Sequence, residues 1–341
     1  MTTTLVIRLS SLGDVAIAIP VLYSVAKKYP DDHFLLLTKS AWQSLFVNKP
    51  SNLTVFPVGT KDKHKGIRGI IRLLSELSSI IPEKKVKVAD LHGVVRSFLI
   101  DCYFRLKAYP VAVIDKGRKE KQKLVQKKHK IKQPLKTSLD RYRDVFEKIG
   151  YDSSLCFTGL FPEKQAKKQT RIGIAPFAKH RGKTYPLELM EKVVGVLNEF
   201  PNTQIVLWGS REERQILEFW TAKYRNVSSV AGQMSLEEEL FLMNQMDLMV
   251  SMDSANMHLA SLVNVPVVSI WGATHPYAGF YGFNQDESNV VQTDMPCRPC
   301  SIFGNKPCFR GDYACLKQIT PEMIIEKIKT IRSLDPQNGL S

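Results

Sequence analysis

Residues 247–272 read DLMVSMDSANMHLASLVNVPVVSIWG. An apolar run at 247–251 gives way to Met252-Asp253-Ser254, then to helical spacing as far as about Leu262. A second apolar run at 266–270 closes on Trp271-Gly272. Short apolar runs without polar alternation are strands buried on both faces. A helix between two of them makes a parallel βαβ crossover.

The same rhythm extends in both directions. Upstream lie a strand at 171–176, a helix near 187–199, a strand at 204–208 running into Gly209-Ser210, and a helix over about 211–224. The first half repeats the pattern more loosely. A strand at 4–9 meets the polar turn Ser10-Ser11-Leu12-Gly13-Asp14, and a helix runs on to about Lys28, kinked or started at Pro20. A strand at 33–38, a helix at 67–81 and a strand at 86–91 ending at His92-Gly93 follow. The expectation is an α/β protein of two doubly wound Rossmann-like domains facing across a cleft, with ligands at the carboxyl ends of the strands. The boundaries fall at 1–160 for the first domain, 161–170 for a linker, 171–320 for the second domain, and 321–341 for a last helix and tail.

Composition narrows the partners. The chain has 341 residues, is 44% hydrophobic and carries a net charge of +15, so it can fill two cores and favours anionic ligands. Charged residues are 24% of the chain, which excludes wholesale disorder. Leu5 opens an apolar run that Arg8 and Ser10 interrupt, which reads as a strand and not a signal peptide. No run is long enough to span a bilayer. The reading is a cytoplasmic protein that touches a membrane surface.

Four strand-to-helix junctions hold groups suited to chemistry. In the first, Asp14 either caps a helix or acts as a general base toward an acceptor hydroxyl. The second, Asp90-Leu91-His92-Gly93-Val94-Val95-Arg96, puts Arg96 in the first turn of a helix, facing a ligand or solvent. The third, Lys179-His180-Arg181-Gly182-Lys183-Thr184-Tyr185-Pro186, crowds three cations and a histidine onto one loop, either solvated or placed for phosphate. The fourth starts a helix at Asp253-Ser254-Ala255, whose backbone N–H groups suit phosphate. His258 follows one turn later, as a ligand contact or a structural histidine.

Two further clusters stand out. Between Lys116 and Lys136 ten lysines and arginines face Glu120 alone, and the run falls within the first domain. It serves either solvation or contact with anionic lipid or sugar. No aromatic residue interrupts it, which argues against nucleic acid. Cys297, Cys300, Cys308 and Cys315 have the spacing of zinc ligands, and otherwise read as reduced packing thiols or a redox-labile pair. Cys102 and Cys156 read as isolated buried thiols. The chain has no Asp-x-Asp pair to hold a divalent ion.

In order and spacing these segments resemble glycosyltransferase family 9, the ADP-heptose:lipopolysaccharide heptosyltransferases. The resemblance rests on Arg8 to Val15 with Pro20, Asp90-x-x-Gly93, Lys183-x-x-Pro186, Trp208-Gly209, Asp253-Ser254-x-x-x-His258 and Gly272-x-Thr274-x-Pro276, with the cysteine-bearing tail. It departs from the family at Ala255, where glycine is frequent, and at Tyr185, where tryptophan is common.

The resemblance implies a GT-B architecture with acceptor on the first domain, donor on the second, and the last helix and tail returning to the first domain. It implies inverting, metal-independent transfer of heptose from ADP-heptose to the lipid A-linked inner core, with no cofactor, by a protein peripheral at the cytoplasmic face of the inner membrane. Asp14 would be the catalytic base. Lys183 would act on the donor diphosphate as a catalytic and binding residue. Asp253, Ser254, Ala255, His258 and either Glu212 or Glu213 would complete the donor contacts. Ser11, Gly13, His92, Arg96, Arg118, Lys119 and Lys121 would meet the acceptor. Two rival expectations are a nucleotide-sugar epimerase of the same fold, and an anion- or nucleic-acid-binding or inactive homologue.

Overall fold

The computed structural model describes residues 1–81, 85–161 and 169–333. They form two compact units, one of residues 1–117 and 136–160, the other of residues 118–135 and 161 onward.

The first unit opens with β1 (Thr3–Ile7), α1 (Leu12–Lys28), β2 (His33–Lys39), β3 (Leu53–Val58), α2 (Gly66–Ile80), β4 (Val86–Asp90), α3 (Val95–Leu106) and β5 (Val111–Val113). The chain then contributes α4 (Arg118–Val125) to the second unit and returns with α5 (Ser138–Lys148). All strands are parallel, in the order β3-β2-β1-β4-β5. Ile7 pairs with Leu37 on one side and Asp90 on the other. The winding reverses between β1 and β4, so the segments leaving those two strands flank the place where open α/β sheets bind ligands. The core joins Leu5, Ile7, Leu37 and Val88 of the sheet to Leu73 and Leu77 of α2 and Ile100 and Phe104 of α3.

Pro20 does not start α1, one of the two expected alternatives; it lies inside the helix. The helix is buried from Val15 to Ala26, and this packing holds it across the proline. Ser24 Oγ donates to the Pro20 carbonyl and accepts from the N–H groups of Cys156 and Phe157 at 2.9 and 3.0 Å. Cys156 is exposed and Cys102 half-buried, so neither is the fully buried thiol expected.

The second unit contains β6 (Thr170–Ala175), α6 (Leu187–Asn198), β7 (Thr203–Leu207), α7 (Arg214–Lys223), β8 (Val227–Ser229), α8 (Leu236–Asn244), β9 (Leu248–Met252), α9 (Ala255–Leu262), β10 (Val267–Ile270), β11 (Val290–Val291), α10 (Ala314–Lys317) and α11 (Pro321–Ser333). Its parallel sheet runs β11-β10-β9-β6-β7-β8 and reverses between β6 and β9. Gly173 in β6 leaves room for Met249 and Trp208; a Cβ there would lie 2.0 Å from the Met249 sulfur.

Two boundary expectations change. α11 packs on α6, and Ile324, Ile325 and Ile328 complete the second core beside Val193 and Val194, so this helix belongs to the second unit. The basic segment also moves: residues 118–135 belong to the second unit. The Lys130 ammonium donates to the carbonyls of Cys297 and Pro299 at 2.6 and 2.7 Å, and Leu135 N–H donates to Tyr277 O at 2.9 Å. Such long-range bonds dock the segment more strongly than sequence adjacency to β5 does. Most of the expected linker, 162–168, and the tail at 334–341 lie outside the described residues.

Candidate functional site

At the end of β1 the backbone turns directly into α1. Ser11 is the N-cap, and Asp14 is the third helical residue, not the cap itself. The Asp14 carboxylate reaches back: Oδ2 accepts from Ser11 N–H at 3.0 Å and from Ser11 Oγ at 2.7 Å. The same oxygen pairs with Arg8 Nη2 at 2.7 Å. Arg8 is buried, donates through Nη1 to the Leu91 carbonyl at 2.6 Å, and lies over the Tyr142 ring. Gly13 occupies the first turn beside Asp14.

From β4 comes the opposing turn. Asp90 Oδ1 accepts from the N–H groups of His92 and Gly93 at 2.7 and 3.0 Å and shapes the bend. Gly93 takes φ +57, which a side chain would strain. His92 Nε2 meets Ser10 Oγ at 3.1 Å, linking the two turns. Burial first, then the positive Arg8 and Lys116, push the His92 imidazole down to about 3, against the pull of Asp14. His92 is therefore neutral at physiological pH. Arg96 Nη1 donates to the His64 carbonyl at 2.9 Å, so it ties α3 to the segment before α2.

Thus Ser11, Gly13, Asp14 and His92 come together in the first unit. Arg118, Lys119 and Lys121 are on α4, which belongs to the second unit. Arg118 and Lys119 are exposed, and the Lys121 ammonium stands 4.5 Å over the Phe280 ring.

In the second unit the loop after β6 folds into a single turn, Arg181–Lys183, and directs Lys183 toward the end of β9. Lys183 Nζ stands 2.8 Å from Asp253 Oδ2, with side chains 16% and 3% exposed. Gly182 and Gly304 permit this. A Cβ on Gly182 would lie 2.8 Å from Gly304 O, and one on Gly304 would lie 2.6 Å from Lys183 Cγ. Ser254 caps α9 with extended backbone, and its hydroxyl stands 3.3 Å from Ser251 Oγ. The first N–H groups of α9, beginning at Ala255, have no intrahelical acceptor and carry the positive end of the helix dipole. His258 lies one turn in and is buried. A buried ion pair beside a helix N-terminus at a sheet's switch point is a fitting receptor for a diphosphate.

After β7, Glu213 accepts from Ser210 N–H at 2.7 Å and so holds the turn. Glu212 is exposed, and hydrogen bonds from its own backbone N–H and from Ser210 lower its carboxyl below the usual range. Tyr185 has a structural place: it is fully buried and its hydroxyl donates to Ile319 O at 2.8 Å.

Sequence reasoning passed over Arg298. This buried guanidinium gathers the loop after β10, donating to the carbonyls of Gly272, Trp271, Thr274 and Thr293 and to Gln292 Oε1. That loop supports Lys183, since Ala273 N–H donates to Gly182 O at 2.8 Å. The available signal was an arginine between Cys297 and Cys300, flanked by Pro299, in a stretch otherwise read only for its thiols. None of the four clustered cysteines forms a disulfide. Among the described residues no three His, Cys, Asp or Glu side chains are arranged to hold a metal. Cys315 instead packs with Met295 and Leu316, with Cys297 alongside.

Comparison with known proteins adds three findings. The family model for glycosyltransferase family 9 (heptosyltransferase) matches residues 87–306. Lipopolysaccharide heptosyltransferase 1 of Campylobacter coli is 24% identical over 350 residues, covering 96% of this chain and 98% of that protein. Two solved structures share the fold. A family 9 glycosyl transferase from Veillonella parvula matches with TM-score 0.74 and 19% identity over 97% of both chains. The E. coli heptosyltransferase WaaC with ADP matches with TM-score 0.67 and 19% identity over 97% of this chain and 100% of that one. The two doubly wound units are those of the GT-B class.

Proposed function

The chain belongs to glycosyltransferase family 9, the heptosyltransferase family, and from that premise we propose that it transfers heptose from ADP-heptose to the lipid A-linked inner core of lipopolysaccharide. The observation that carries the donor half is the Lys183–Asp253 pair, 2.8 Å long, at the N-terminus of α9. The names of its relatives support the acceptor half: they are lipopolysaccharide and lipooligosaccharide heptosyltransferases.

The transfer runs in one displacement. An acceptor hydroxyl oxygen bonds to the anomeric carbon as the bond from that carbon to the diphosphate oxygen breaks. Asp14 takes the hydroxyl proton, and ADP leaves with the electron pair. Lys183 and the first N–H groups of α9 stabilise the charge growing on the diphosphate, as preorganised donors do. Asp253 holds Lys183 in place until donor arrives. Glu212 contacts the ribose, and Ser254, Ala255 and His258 complete the donor's surroundings. Ser11, Gly13 and His92 position the acceptor around Asp14.

With one base and no enzyme nucleophile, the anomeric centre inverts. Lys183 and the helix terminus occupy the role that a carboxylate-bound divalent ion has elsewhere, which supports a metal-independent reaction. The enzyme works at the cytoplasmic face of the inner membrane, and its surplus positive charge is directed at an anionic glycolipid and not at nucleic acid.

The test is ADP release from ADP-heptose with and without a lipid A-linked acceptor. The reading expects release only with acceptor, and a product one heptose heavier. Conversion of donor alone to an epimer would overturn it.

A further inference from the structure

The first unit carries an apolar face that its own core does not use. On α2, Ile70, Leu73 and Leu77 are buried, whereas Ile67 and Ile71, one turn apart, are 73% and 62% exposed. On α3, Ile100 and Phe104 are buried, whereas Val95, Phe98, Leu99 and Leu106 fall on one helical stripe and are 79%, 55%, 37% and 88% exposed. The two helices lie side by side and run the same way. Arg96 reaches the His64 carbonyl at their starts, and Ser78 Oγ meets the Tyr103 hydroxyl at 2.6 Å toward their ends. Single exposed apolar residues are ordinary; six on two neighbouring helices form a patch that needs a partner.

Charge says which partner. Segments 61–80 and 95–107 hold eight lysines and arginines against Asp62, Glu76 and Asp101. Glu76 is already paired with Lys63, His64 and Arg72. Asp101 is buried, and burial together with Asp90 pushes its carboxyl upward toward the neutral form. Lys61, Lys65, Arg68, Arg105 and Lys107 are exposed around the apolar strip. Apolar side chains framed by exposed cations suit the boundary of an anionic bilayer, where the first enter the acyl edge and the second meet the headgroups. A water-soluble anionic sugar would leave Val95 and Leu106 without a contact.

We propose that the α2–α3 face of the first unit seats the protein on an anionic phospholipid bilayer. No helix among the described residues is long and apolar enough to cross a membrane, so this is contact at a surface. α3 begins just after the His92-Gly93 turn, whose histidine is bonded to Ser10, so the docking face and Asp14 sit in one unit. An acceptor anchored in the same bilayer then arrives at the unit that holds the base. The inference rests for its purpose on the reading that the acceptor is a glycolipid.

The experiment uses the full chain with vesicles of phosphatidylethanolamine and phosphatidylglycerol, without donor or acceptor. The protein should sediment with these and not with phosphatidylcholine vesicles. Two variants are compared: Ile71→Ser/Phe98→Ser/Leu106→Ser and Arg68→Gln/Arg105→Gln/Lys107→Gln. Each should lower the partition coefficient about tenfold or more. All six side chains are exposed, so both should keep the wild-type melting temperature. Both should turn over a deacylated soluble acceptor at the wild-type rate and a vesicle-embedded acceptor more slowly. Absence of wild-type sedimentation, or variants that bind like wild type, would overturn the proposal. So would binding loss that only follows a change from dimer to monomer by light scattering, which would assign the face to a second copy. If wild type binds vesicles as expected but leaves the deacylated acceptor untouched, the docking face stands and the functional reading falls.

Discussion

Arg8 Nη2 and Asp14 Oδ2 stand 2.7 Å apart, and the same carboxylate oxygen accepts from both donors of Ser11. A capping box needs only the Ser11 contacts. The added guanidinium is itself held by the Leu91 carbonyl at the end of β4 and lies 5.5 Å from the Tyr142 ring centroid. The ends of β1 and β4, the first turn of α1 and a residue of α5 therefore all converge on the direction of one carboxylate. This is the arrangement expected where a side chain must be aimed.

Arg8→Lys keeps the charge but loses the planar fork that reaches Asp14 and Leu91 together. Misdirection of the base should lower kcat about 10- to 100-fold. ADP binding, assigned to the second unit, should change little. Steady-state kinetics beside ADP titration checks this, and a wild-type kcat would count against the aiming role.

Lys183→Ala removes a charge-assisted contact to the diphosphate, which should cost about 1.5–3 kcal/mol of ADP affinity, on the order of 10- to 100-fold. It also leaves Asp253, 3% exposed, without its cation. An unpaired buried carboxylate destabilises the fold more than a neutral replacement of both partners does. Lys183→Ala should therefore melt below the double variant Lys183→Ala/Asp253→Asn, while both bind ADP weakly. Equal melting temperatures would show that the pair is not coupled in the free enzyme.

The pH dependence of stability has a definite sign. His92 is held down to about 3 in the folded protein, against an ordinary value near 6.5. Between those values the unfolded chain binds the proton and the folded chain does not, so stability falls as pH drops from about 6.5 toward 3. His275, lowered to about 4 mainly by burial, adds a smaller contribution of the same sign. His92→Gln should flatten the melting-temperature profile below pH 6.5 without abolishing it. An unchanged slope would mean that His92 titrates normally.

Much of this was legible in the chain and some was not. The fourfold strand-to-helix junctions at Asp14, His92, Lys183 and Ser254 were readable because each joins an apolar run to a polar turn. The observed sheet orders place all four beside a switch point. The short strands β5, β8 and β11 have two or three residues each and offered no periodic signal. Segment 118–135 was misplaced because its docking depends on carbonyls of Cys297 and Pro299, far along the chain, which no local pattern encodes. The role of Arg8 was not read, and Arg298 was passed over, for a related reason. Each acts through backbone carbonyls of loops distant in sequence.

The most direct measurement is the turnover of Asp14→Asn on a verified lipid A-linked acceptor. Asparagine keeps the shape and can still accept from Ser11, so the variant should melt close to wild type. Its ADP affinity should be nearly unchanged, since Lys183 and α9 lie in the other unit. Loss of the base should lower kcat about 10²- to 10⁴-fold. A folded Asp14→Asn enzyme that turns over acceptor at close to the wild-type rate would contradict the account, leaving Asp14 as a capping residue and the base elsewhere.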